Sequence, residues 1–142
     1  MKFVIDVSGD KAIQDAIDKK ILSIDMAVKK ITIDLFSSII KKTPVDLGTA
    51  KNNWQASIGS PKTSIIEGTD KTGGPTIQKM TKEVLKANFL NDDTVYLSNN
   101  LPYIEVLEDG SSTWAPEGMI KTSIAEFDGL VKKEDAKLWA IN

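Results

Sequence analysis

One apolar stripe sets the frame for this chain. Ile17, Ile21, Ile24, Val28, Ile31 and Leu35 recur at steps of four and three, the spacing that stacks side chains on one face of an α-helix. Asp10 stands before the stripe as an N-cap, and Pro44 ends it by biasing Thr43 toward extended backbone. The helix so predicted reaches about Lys42 and is on the order of 50 Å long, so everything else must be arranged around a rod. A second apolar set, Leu22, Met26, Ile33, Phe36 and Ile40, widens the stripe beyond the seam of a two-stranded coiled coil. Such a width is covered either by the chain's own sheet or, over part of the length, by a neighbouring subunit.

The rest of the pattern is mixed. Phe3, Ile5 and Val7 alternate within Lys2 to Val7 and predict a short strand. Trp54, Ala56 and Ile58 alternate with Asn53, Gln55 and Ser57; Gly59 to Lys62 then turns the chain and Ser64 to Glu67 returns it as a hairpin. Pro75 suits the first position of a helix with Ile77, Met80, Val84 and Leu85 on one face, closed by Asn91, Asp92 and Asp93. Thr94 to Asn99 reads as a strand. A short helix starts at Pro102, with Gly110 at its C′ position, and Pro116 opens a last helix with Ile120, Ile124, Phe127 and Val131 as its buried stripe, weakened at its end by Gly129. The expectation is one α+β domain over residues 1–142, with 132–142 as a candidate C-terminal extension whose Leu138, Trp139 and Ile141 need a covering surface. Its small antiparallel sheet of about four strands, near Phe3, Trp54, Ile65 and Val95, packs against the long helix, accompanied by a middle, a short and a C-terminal helix.

Composition removes whole classes of chemistry. The chain has no cysteine and no histidine, and all 18 of its basic residues are lysine. Thiol chemistry, thiolate metal sites, imidazole bases and bidentate guanidinium recognition of phosphate are therefore absent. A net charge of −2 gives no concentrated positive field for nucleic acid. No apolar window is long enough to span a bilayer, and the N-terminal apolar run is too short for a signal peptide, so the product is expected to stay soluble where it is made.

Some residues stand out against this background. Glu105, Glu108 and Asp109 sit on a short helix, the last two at its C-terminal end, where acids are unfavourable unless a cation answers them. They read as a solvated face or as acids recruited to a lysine of a neighbouring subunit; a glycosidase pair has no second acid tied to them by pattern. Trp114 reads equally as a lid over the subunit's own core and as an anchor in a partner. Trp54, on a strand, reads as core, and Asp46, after Thr43 and Pro44, as a turn or capping residue rather than a metal ligand. Asp70 to Pro75, "DKTGGP", lacks the spacing of a phosphate loop and reads as a flexible loop.

Three segments in order carry a family resemblance: Thr43-Pro44-Val45-Asp46-Leu47-Gly48 followed by Trp54; "VYLSNNLPYIEVLEDGSS", holding Asn100, Tyr103, Glu108 and Gly110; and Ala115-Pro116-Glu117-Gly118-Met119 before an amphipathic helix. From Lys2 to about Val131 this resembles the neck protein family of tailed bacteriophages, also described as tail-completion or head-to-tail joining proteins. The chain departs from that pattern in lacking the arginines that commonly follow the turn, with Lys51 the only nearby cation, in Leu47 for Thr, and in Ile104 for a small residue. The resemblance implies a non-enzymatic structural subunit without cofactor, forming a hexameric ring in the virion neck that joins the head connector to the tail. Its implied partners are copies of itself, head-completion or connector proteins, and the tail terminator or tail tube. It implies no membrane and no sequence-specific nucleic acid, although the ring could line the DNA channel, and it implies synthesis in the host cytoplasm. A tail-terminator ring is the neighbouring alternative, and a small regulatory binding domain a more distant one.

Overall fold

The computed structural model describes residues 11–140. The expected strand Lys2 to Val7, the cap Asp10, and Ile141 lie outside the described residues. Within them run α1 (Lys11–Lys42), α2 (Thr49–Asn52), β1 (Gln55–Ile58), α3 (Gly74–Leu85), a 3-10 turn (Phe89–Asn91), β2 (Val95–Ser98), α4 (Ile104–Glu108) and α5 (Ile120–Leu138). The fold is mixed helix and sheet with a long N-terminal helix, as expected, but the described sheet has two strands rather than about four.

The predicted hairpin does not form. β1 pairs antiparallel with β2, placing Gln55 opposite Ser98 and Ile58 opposite Val95, and Ser64 to Glu67 form no strand. Alternation marks a segment as extended and half-buried without naming its partner, and here the partner lies far along the chain. The returning segment is held by side chains instead. Asn53 Nδ2 donates to the carbonyls of Thr49 at 2.9 Å and Ile66 at 3.1 Å, while its Oδ1 accepts from the Ile66 N–H at 2.9 Å. Gln55 Nε2 donates to Ser64 O at 2.8 Å, and Asn100 Nδ2 to Lys62 O and Ser64 O.

α3 lies between β1 and α1, so the sheet reaches the long helix chiefly through α3. Pro75 sits in its first turn as predicted, and Met80 and Val84 enter the core, whereas Leu85 is exposed. The helix ends at Leu85; Asn91 and Asp92 belong to the separate 3-10 turn that follows. The core gathers Phe36, Ile39 and Ile40 of α1 with Trp54, Ala56, Met80, Val84, Ala115 and Met119. Only the C-terminal part of the α1 stripe is therefore deeply buried. Ile17, Ile21, Leu22 and Met26 are exposed, and Val28, expected in the core, is only partly covered.

α5 explains where the cover stops. Ser38 bonds Ser123 at 3.0 Å, Lys42 pairs with Glu126 at 2.7 Å, and Lys30 lies 3.9 Å from Glu134, so α5 runs antiparallel along α1. At its end, Lys20 Nζ donates to Leu138 O at 2.7 Å and lies 4.8 Å from the centre of the Trp139 ring, a cation at the negative end of a helix. The turns of α1 before Lys20 extend past α5. Residues 132–138 continue α5 as helix past Gly129. Its buried face carries Ser123 and Glu134, while Ile124 and Phe127 of the predicted stripe are exposed: polar contacts set the α1–α5 seam, and the apolar periodicity points partly away from it.

Candidate interface site

The site begins with the turn after α1. Thr43 is buried; its Oγ1 donates to Ile39 O and accepts from Trp54 Nε1, both at 2.8 Å. The indole thus ties the root of the turn to the core, and the core reading of Trp54 holds. Asp46 and Leu47 are then exposed, and Gly48, buried again, takes φ 95°. A Cβ there would stand 2.7 Å from the Asp70 carbonyl carbon, so only glycine lets the chain pass. Gly48 O accepts from Asp70 N at 2.9 Å.

Asp70 is the residue that sequence reading missed. It is buried, and its carboxylate accepts from the backbone N–H groups of Thr72, Gly73 and Thr76 and from the Thr76 hydroxyl at 2.6 Å. Burial pushes the carboxyl upward, but the Thr76 hydroxyl and the three N–H donors outweigh it and hold it at about 2. The "DKTGGP" segment is therefore an anchored cap for α3 rather than a flexible loop. The signal was there: Gly73, at the N-cap of α3, brings no side chain of its own, so a polar side chain from another residue has to answer the open N–H groups. Asp46, read as the turn or capping residue, is exposed and makes no hydrogen bond or ion pair among the described residues.

The acids of α4 divide. The Glu108 carboxylate accepts from the N–H groups of Met119 at 2.7 Å, Ile120 at 2.8 Å and Lys121 at 3.0 Å. An acid that looked misplaced at the end of one helix thus caps the start of the next. Partial burial raises its carboxyl, and the three N–H donors together with the Lys121 charge bring it below the ordinary value. Two glycines let the strands of this lock approach. A Cβ on Gly118 would fall 2.4 Å from Glu108 O, and one on Gly110 would fall 2.2 Å from Pro116 O. Within its own chain Glu108 is the cap of α5 rather than a solvated face. Glu105 is exposed, and Asp109 lies 4.0 Å from Lys121 across open solvent.

Between the two ends of the lock the loop carries Trp114, which is 83% exposed. It is not a lid. With Tyr103 and Leu107 of the α4 segment, Ser112, and Pro44 to Ala50, it lines a groove of about 440 Å³; Leu47 on this groove is 64% exposed. On its other side Trp114 meets Pro116, Glu117 and Gly118 in a smaller cleft of about 260 Å³.

The structure thus brings together Pro44, Asp46, Gly48, Tyr103 and Trp114, with Pro116 and Gly118 alongside. It does not bring in Trp54 or Met119, which are core, or Asn100, which holds the segment near Ser64. Among the described residues no cluster of acids is placed to hold a metal ion, and no helix is long and apolar enough to cross a membrane. Compared with known protein families, curated proteins and solved structures, the chain matches none.

Proposed function

We propose that this chain is a non-enzymatic structural subunit of a tailed-phage neck, assembling as a ring that joins the head connector to the tail, with the Trp114 groove as its docking joint. One observation carries the reading. Two of the three segments of the family resemblance, separated along the chain, line one groove, the third lies in the cleft on the other side of Trp114, and this tryptophan between them is 83% exposed. Aromatic side chains exposed in a free subunit and buried on assembly are the usual anchors of a protein interface. The rim also carries Leu47 and Tyr103, both exposed.

The test separates assembly from folding. Sedimentation velocity and negative-stain imaging of the purified protein should show rings or ring fragments, alone or with connector and tail proteins. Trp114→Ala should abolish that association at any salt concentration while leaving the melting transition within about 0.5 kcal/mol of the parent, because the ring is mostly in solvent. Association unaffected by Trp114→Ala would remove the groove from the joint.

A further inference from the structure

Lys51 is the feature for which the fold itself offers no use. It is 7% exposed, the least exposed lysine of the described residues, yet no carboxylate lies within ion-pair distance of it and no hydrogen bond involves its ammonium. Buried charges are ordinarily paired. Asp70, the buried acid of the neighbouring segment, is already filled by hydroxyl and backbone donors and does not answer it. The stem is packed: a Cβ placed on Gly73 would lie 3.6 Å from Lys51 Cδ and 3.3 Å from Ile40 Cγ2. The lysine methylenes thus pass beside Gly73 and Ile40. Nζ itself is not fully sealed from solvent, so the side chain buries its stem and keeps its charge at the edge of water.

We infer that Lys51 is a fixed cation awaiting a carboxylate on a second copy of this chain. Packing the stem removes during folding the rotamer freedom that a surface lysine loses on binding, so this ammonium is ready to pair where the exposed lysines are not. A single lysine on a chain of net charge −2 does not make a phosphate surface, whereas acids without partners are at hand. Asp46 on the groove and Glu117 in the cleft beside Trp114 are both exposed and unpaired among the described residues. Thr49 and Ala50 line the groove, while the Lys51 stem lies against Gly73. One copy can therefore offer the groove acids to one neighbour and Lys51 to another, the arrangement of a head-to-tail ring contact. This inference rests on the ring assembly proposed above.

The experiment is a charge cycle read by sedimentation velocity across a salt series, with a thermal melt on each sample. Lys51→Met keeps the stem and removes the charge; it should leave the melt unchanged or raised, weaken association about tenfold at low salt, and flatten its salt dependence. Lys51→Arg should retain association. Asp46→Asn or Glu117→Gln, both at exposed positions, should weaken the parent but add nothing in the Lys51→Met background. Association of Lys51→Met equal to the parent's overturns the inference while leaving the ring intact. So does full additivity of the acid and lysine substitutions. A parent protein that stays monomeric with and without its connector and tail proteins overturns the ring itself, and duplex DNA retention lost only in Lys51→Met would assign the cation to phosphate and overturn the carboxylate.

Discussion

Glu108→Gln is expected to weaken the subunit rather than its assembly. In the parent, one carboxylate oxygen accepts from both Met119 N–H at 2.7 Å and Ile120 N–H at 2.8 Å, and the other from Lys121 N–H at 3.0 Å. Glutamine keeps one acceptor oxygen and turns an NH2 group toward the remaining N–H, setting donor against donor. The substitution thus removes one hydrogen bond and the charge at the start of α5. Losing a helix cap costs about 0.5–2 kcal/mol, and bonds to a charged acceptor lie at the strong end. The expected loss is about 1–2 kcal/mol, or about 3–8 °C in Tm for a chain of this size. Glu108→Ala, which forfeits all three bonds, should cost about 2–3 kcal/mol. Urea unfolding at neutral pH measures both. The pH series adds a signed check. The folded carboxyl lies below its ordinary value, so its contribution is present above the unfolded value and disappears as pH falls through the folded one, and the gap between parent and Gln variant must close with it. A Gln variant as stable as the parent at neutral pH would refute the capping assignment.

Two further outcomes follow from the same geometry. A carboxyl held at about 2 instead of 3.8 gives Asp70 a contribution of about 2 kcal/mol at neutral pH. The unfolded chain takes up this proton first, so acid titration of the parent should lose that stability between pH of about 4 and 2, and Asp70→Asn, measured by urea unfolding, should lack it throughout. Gly110→Ala would drive a methyl to 2.2 Å from the Pro116 carbonyl oxygen at φ 93°; the loss should exceed about 3 kcal/mol, and a soluble variant with the parent's melt would show that the α4–α5 lock is slack.

Sequence pattern located elements well and partners poorly. The α1 stripe, Pro75, the Val95 strand and the Gly110 terminus all announced themselves because helix period, proline φ and glycine's left-handed backbone are local properties. The partner of β1 is not local, so Ser64 to Glu67 took a role that belongs to Val95 to Ser98. The same limit hid the work of Glu108, whose donors lie across a loop from it. Its trace in the sequence was indirect: Met119, at the N-cap of α5, brings no side-chain cap, and an uncapped helix start one loop after a surplus acid makes a matched pair. Exposed Ile124 and Phe127 show the converse error. A periodic stripe marks a face that wants cover, not one that the chain itself covers.

The side-chain tethers beside β1 also bear on how this protein can change. A backbone ladder fixes register along its whole length, and a one-residue slip turns every side chain over. Lys62, Ser64 and Ile66 are instead gripped one by one by Asn100, Gln55 and Asn53, leaving a short tip around Ser60 and Pro61 between the β1 end and the first of these grips. Residues inserted there would lengthen the tip without shifting the pairing of β1 with β2. Length variation among related chains should concentrate at that tip, and in deuterium exchange the Ile66 amide, which Asn53 holds, should outlast its neighbours.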